Sequence, residues 1–166
     1  SPSPRTNAVA LLASRMAGGE PVADLEIHPG PLHGIEVPRK LVATALDEFP
    51  VLFAAAAIAG GETLVTGAGE LRVKESDRIA VMAEGLQRLG VRVAVLPDGL
   101  RIVGGPVGGG IVDSHSDHRV AMAFAVLAAR AAAPVEIRDV ANVQTSFPGF
   151  AATARRSGLR VEERSA

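Results

Sequence analysis

Two short stretches of this 166-residue chain gather residue types able to do chemistry. Arg72-Val73-Lys74-Glu75-Ser76-Asp77-Arg78 stands just before Ile79, Met82, Ala83, Leu86 and Leu89, apolar residues at helical spacing. Ser114-His115-Ser116-Asp117-His118-Arg119 stands before Val120, Ala121, Phe124 and Leu127 in the same way. Both clusters therefore fall at expected helix starts, where free N–H groups and the positive end of the dipole attract anions. Lys74 and Arg78 add full charges to that field, at a local cost of a few tenths of a kcal/mol that an anion, or Glu75 and Asp77, would offset. Arg119 can grip a carboxylate or phosphate with two parallel hydrogen bonds, and His118 can donate to an oxyanion or carry a proton. Asp47, ahead of Pro50, Phe53, Ala54 and Ala57, is a third candidate, either a helix cap or a carboxylate acting in a cleft. Each segment alone also fits a capped helix with solvated charges. His115, Asp117 and His118 are metal-ligand types, although His28 and His33 show no matching ligand spacing, and no metal is expected. If the three helix starts converge, Asp47 and Glu75 stand among Lys74, Arg78 and Arg119, an arrangement suited to acid–base work on a multiply anionic substrate.

The elements that must position these residues repeat. One pattern runs from a Ser or Thr through a helical apolar stripe to a Gly and an extended run. Ser76 is the expected N-cap of its clearest copy and Gly90 the left-handed stop. Val91, Val93 and Val95 then alternate as in a half-buried strand, Pro97-Asp98-Gly99 turns the chain, and Leu100 to Val103 return. Thr6 is expected to open a second copy through Val9, Leu12 and Met16 to Gly18. Ser146 is expected to open a third, with Pro148 in its first turn, Gly158 at its end, and a strand restarting at Leu159 and Val161. A different helix type follows Asp47 and Asp117. It is apolar on nearly every side, so it should be an inner helix, with the Ser76 type nearer solvent. The interval from Asp47 to Asp117 equals that from Ser76 to Ser146, which points to an internal duplication. Glycines 104, 105 and 108 to 110 read as a connecting loop, since no P-loop Lys-Ser/Thr follows them.

Composition narrows the possibilities. Hydrophobic residues make up 48% of the chain, enough for one domain with a substantial core, and aromatics only 3%, so Ala, Val, Leu and Ile must fill most of it. Seventeen basic and 18 acidic residues give a net charge of -1, which offers no general electrostatic attraction for nucleic acid or membrane. The chain has no cysteine, hence no disulfide framework, thiolate ligand or Cys nucleophile. No signal-like pattern opens it and no apolar run could span a bilayer, so a cytoplasmic protein is expected.

Arg-Val-Lys-Glu-Ser-Asp-Arg from Arg72, Asp-His-Arg-x-Ala-Met from Asp117, Ser-Phe-Pro from Ser146 and Asp-Glu-Phe-Pro from Asp47 resemble, in order and spacing, successive signatures of the 5-enolpyruvylshikimate-3-phosphate synthases. The resemblance implies an α/β (α+β) fold, one lobe of the enolpyruvyl transferase fold, built of repeated βαβαββ units with buried inner helices and outer sheets and helices. It makes residues 1–166 a single C-terminal lobe whose N-terminal lobe is absent. The implied reaction moves the enolpyruvyl group of phosphoenolpyruvate to the 5-hydroxyl of shikimate 3-phosphate and releases phosphate, a step of aromatic amino acid biosynthesis, with no cofactor. By the same resemblance Asp47 and Glu75 would be the catalytic acid–base pair. Asp47 and Lys74 would contact shikimate, and Arg78, His118 and Arg119 would hold phosphoenolpyruvate. A monomer is implied, as is inactivity of the fragment alone. Two positions depart from the family pattern: Thr145 where many members carry Lys, and Glu70 where some carry an Asn that helps hold the shikimate phosphate. The alternatives are a UDP-N-acetylglucosamine enolpyruvyl transferase lobe, or a non-catalytic anion-binding module of the same fold, which would have no use for both carboxylates.

Overall fold

The computed structural model describes residues 8–164. The chain divides into two compact units, Ser1–Leu32 and His33–Ala166. The first is a hairpin of β1 (Ala8–Ala17) and β2 (Glu20–His28), paired antiparallel. This replaces the helix expected from Val9 to Met16; its opening residue, Thr6, lies outside the described residues. Gly18 and Gly19 decide the matter. Both take positive φ, 61° and 87°, the left-handed pair that a two-residue hairpin turn requires and that only glycine adopts without strain. The register shifts between Leu11 and Ala13, so Leu12 is the extra residue of a bulge. Leu11, Leu12, Met16, Leu25 and Ile27 are all well exposed.

The second unit is built from two successive strand–helix–strand crossings. Residues 33–36 run parallel to β3 (Glu62–Val65) through bridges at His33–Gly60 and Glu36–Leu64. Between them lie a short α1 (Arg39–Val42), a 3-10 turn (Leu46–Glu48) and α2 (Phe49–Ile58). A 3-10 turn (Gly69–Val73) leads to α3 (Arg78–Arg88), then β4 (Arg92–Leu96) and β5 (Gly99–Val103). The latter two form the hairpin expected around Pro97-Asp98, and the sheet order is β3-β5-β4, all antiparallel. The second crossing runs from β6 (Gly110–Asp113) through α4 (His118–Ala128) to a parallel β7 (Val135–Arg138). Helices α5 (Ala141–Ser146) and α6 (Phe150–Arg156) follow. Helix, strand and helix thus recur in the same order after Asp47 and after Asp117, in keeping with a duplication.

Packing corrects several local expectations. Helix α3 is amphipathic. It buries Ile79, Met82, Ala83 and Leu86 and turns Ala80, Glu84, Gln87 and Arg88 outward, and Gly90 ends it at φ 84°. Helices α2 and α4 pack on each other, but Val51, Leu52 and Val126 remain exposed, so neither is surrounded on every side. Three of the five Phe residues, Phe49, Phe53 and Phe124, are fully buried with Met82, alongside the aliphatic residues expected to fill the core. Ser146 ends a helix rather than opening one. Pro148 disfavours helical geometry at Phe147, which is extended at φ -140° and ψ 77°, and α6 restarts only after a left-handed Gly149. Leu159 and Val161 lie in no strand.

Helices α3 and α4 meet closely at Gly85, where an added Cβ would overlap the edge of the fully buried Phe124 ring. Gly85→Ala should therefore destabilise the protein by about 1–3 kcal/mol through overpacking, despite the helix propensity of about 1 kcal/mol that alanine adds. Urea unfolding of the two proteins checks this, and a more stable variant would show that the ring yields freely.

Candidate functional site

The segment from Arg72 is held before α3 begins. Arg72 donates from Nε to the Pro97 carbonyl at 2.9 Å, from Nη2 to that of Leu96 at 2.8 Å, and from Nη1 to Asp77 Oδ2 at 2.8 Å. One side chain thus ties the β4–β5 turn to the start of α3. The cap of α3 is Asp77, not Ser76: Asp77 Oδ1 accepts from the Ala80 N–H at 3.0 Å. A carboxylate there answers both the free N–H groups and the positive dipole end, which a hydroxyl does less well.

Ser76 instead reaches across to α4 and donates to Asp117 Oδ2 at 3.0 Å. Asp117 is the cap of α4, its Oδ1 accepting from the N–H groups of Arg119 at 2.9 Å and Val120 at 3.3 Å. Its Oδ2 also accepts from Arg78 Nε at 2.8 Å. Both Arg78 and Asp117 have 0% exposed side chains. Arg78 then spends Nη1 on Asp47 Oδ1 at 3.0 Å and Nη2 on Glu75 Oε2 at 2.6 Å. Asp47 is not a helix cap but sits in the 3-10 turn before α2, where its carbonyl accepts from Arg119 Nη1 at 3.1 Å and its Oδ2 from Nη2 at 3.4 Å. The structure therefore brings Asp47, Glu75, Arg78 and Arg119 into one contiguous network.

Lys74 lies beside this network, held by Glu70 Oε1 at 2.8 Å. The departure at Glu70 thus supplies the partner of a predicted substrate-binding cation. Thr145 is exposed on α5. The half-buried His118 opens α4, and its side chain has no hydrogen-bond or ion-pair partner among the described residues. A shallow groove of about 130 Å³ runs along α2 and α4, with Asp47, Glu48 and Arg119 at one end and Val51, Met122 and Val126 along it. No three His, Asp or Glu are grouped to hold a metal ion, and no helix is long and apolar enough to cross a membrane, among the described residues.

Charge states follow the geometry. The hydrogen bond from Arg78, aided by the charge of Arg119, holds the Asp47 carboxyl below its ordinary value. Burial works against the Asp117 carboxylate, but the hydrogen bond and charge of Arg78 prevail and lower its pKa too. Arg78 shows the mirror case: burial disfavours its charge, and Asp117, together with Asp47 and Glu75, more than restores it. The hydrogen bond to Glu70 raises Lys74.

The loop feeding α4 is strained. His115 and Ser116 have positive φ, 49° and 58°, as does Asp139, φ 58°, in the connection after β7 that bonds to this loop. Bonds from Ser114 Oγ to the Asp139 carbonyl at 2.6 Å and from Ser116 Oγ to Asp139 Oδ2 at 2.7 Å hold it, while Asn142 donates to the Ser116 carbonyl at 2.6 Å. Sequence reasoning missed Asp117 as a site residue in its own right, and missed the roles of Arg72 and Ser76. A cap position shared with a signature motif was the available signal, but the Arg78 partner is 39 residues away.

Asp117 accepts four donors on two oxygens. An asparagine there must turn its NH₂ toward donors in either orientation, so Asp117→Asn should cost about 3–5 kcal/mol, as breakage of a buried pair does. Because the folded pKa is depressed, the stability this pair contributes is fully present above the ordinary value of 3.8 and is lost as pH falls through the lower folded value. Denaturant titrations at stepped pH should show that loss in the parent and a flatter dependence in the variant. A variant as stable as its parent would mean that the pair contributes nothing net.

The chain is similar to known proteins over most of its length. The model of the EPSP synthase family (3-phosphoshikimate 1-carboxyvinyltransferase) matches residues 9–153. Proteins named 3-phosphoshikimate 1-carboxyvinyltransferase from Halorhodospira halophila and Alkalilimnicola ehrlichii are each 63% identical, over 93% and 89% of this chain. The chain spans only 35% and 33% of their lengths. A solved EPSP synthase structure from Acinetobacter baumannii superimposes with a TM-score of 0.90 at 45% identity, covering 94% of this chain and 37% of that one. With motifs, fold and relatives in agreement, the chain belongs to the EPSP synthase family.

Proposed function

We propose that the chain is the C-terminal lobe of an enzyme that transfers the enolpyruvyl group of phosphoenolpyruvate to the 5-hydroxyl of shikimate 3-phosphate. The observation that carries this reading is the pair of half-exposed carboxylates, Asp47 and Glu75, set on one buried guanidinium, Arg78, beside Arg119. Addition requires a base to take the 5-hydroxyl proton as that oxygen bonds to the central carbon of phosphoenolpyruvate, and an acid to protonate the methylene. Elimination returns the methyl proton to a base as the carbon–oxygen bond to phosphate breaks. Asp47 acts at the hydroxyl and Glu75 at the methylene. Arg78 and Arg119, with His118 beside them, hold the carboxylate and phosphate of phosphoenolpyruvate, and Lys74 contacts the shikimate moiety. Fixed cations of this kind stabilise developing charge without reorganisation.

The relatives' name favours the shikimate acceptor over a UDP-sugar. The rest of the relatives' length supplies the opposite wall of the cleft, so the isolated chain has negligible turnover, because catalysis by positioning needs both walls. The complete enzyme works as a cytoplasmic monomer.

A chimera joining this chain to the rest of the Halorhodospira relative tests the reading. It should release phosphate from phosphoenolpyruvate only with shikimate 3-phosphate present, and Asp47→Asn or Glu75→Gln should lower kcat about 10²–10⁴-fold. A silent chimera beside an active relative, or one that prefers UDP-N-acetylglucosamine, would overturn it.

A further inference from the structure

Arg78 is not waiting for an anion; it already holds three. Nε, Nη1 and Nη2 each go to a different carboxylate, and the guanidinium is buried, so a substrate anion can reach its Nη edge only by displacing one. The three carboxylates are not equally fixed. Asp117 is fully buried and bound by four donors. Asp47 is 54% exposed but is also held by Arg119 through both its carboxylate and its carbonyl. Glu75 is 51% exposed, stands in the loop before α3, and among the described residues makes one side-chain hydrogen bond, to Arg78 Nη2. Swinging Glu75 into solvent breaks a single bond and leaves the rest of the network standing.

We propose that Glu75 occupies the anion seat on Arg78 Nη2 while the site is empty, and that an incoming carboxylate or phosphate takes its place and turns Glu75 loose beside the bound substrate. Glu75 thereby sets the affinity of the site for anions as well as serving its chemistry. This rests on the reading of Arg78 as the cation that receives the substrate anion. It makes anion binding and release of the acid–base group one event, so a carboxyl needed at the methylene is freed only when there is a substrate to receive it.

The probes are phosphoenolpyruvate and, separately, inorganic phosphate, titrated into the chimera of this chain with the rest of the Halorhodospira relative and followed by the amide NMR signals of Arg78, Ile79 and Arg119. Glu75→Gln and Glu75→Ala remove the competitor. Glu48→Gln removes the same charge near Arg119 without touching Arg78, since Glu48 Oε1 lies 3.8 Å from Arg119 Nη1. Loss of a half-exposed charged competitor should tighten anion binding about three- to tenfold, and the Glu48 control less than about twofold. Equal tightening in the control, no tightening at Glu75, or no binding by any variant would overturn the proposal. Tightening for inorganic phosphate but not for phosphoenolpyruvate would leave the exchange standing and remove the assigned substrate instead.

Discussion

The site depends on one carboxylate shared between two helices. Asp117 closes the first turn of α4 with one oxygen and holds Arg78, the first residue of α3, with the other. A buried guanidinium without such a partner would carry a desolvation cost of several kcal/mol. With it, the helix starts are locked in register and both charges survive burial. Two turns further along each helix, Phe124 lies against Gly85, so a steric contact sets the helix spacing where the polar clamp ends. Polar and apolar constraints thus act on the same pair of elements, and the direction in which Arg78 points follows from both.

The electrostatics that result differ from a simple cationic pocket. Arg78, Arg119 and Lys74 each face carboxylates of this chain, and the helix dipoles of α3 and α4 are answered by Asp77 and Asp117. A site neutralised in this way is stable when empty, and its affinity for an anion is a difference between two pairings rather than the strength of one. Positive φ at His115 and Ser116, each costing of order 1 kcal/mol or more, shows that the backbone leading into α4 is held against local preference. Bonds from Ser114, Ser116 and Asn142 over-determine that loop, and its position fixes where Arg119 begins.

Much of the second unit was legible because its signals are local. The stripe of α3, the stop at Gly90 and the Pro97-Asp98 turn all report interactions within a few residues. The errors arose where two local readings were both allowed. Val9, Leu12 and Met16 fit a helical stripe, but Leu11 and the Gly-Gly turn fit a hairpin, and pairing with β2 decided between them. Ser146 has the right type for a cap, yet Pro148 bars helical geometry at the residue between them. Helices α2 and α4, read as inner helices, do pack on each other, and they leave Val51, Leu52 and Val126 exposed.

By itself, the sequence determined which chemical groups stand at which helix starts, since residue type and helix periodicity are properties of neighbours in the chain. Asp47, Lys74, Glu75, Arg78, His118 and Arg119 could all be named on that basis. Only the tertiary structure decided what those groups do to one another. That Ser76 serves Asp117 and not its own helix, that Arg78 is buried and triply paired, and that Glu75 hangs by one bond among the described residues while Asp117 is held by four donors all depend on partners brought together from the starts of α2, α3 and α4. Burial and ion pairing are set by distance in space, and no local pattern encodes which distant carboxylate will arrive.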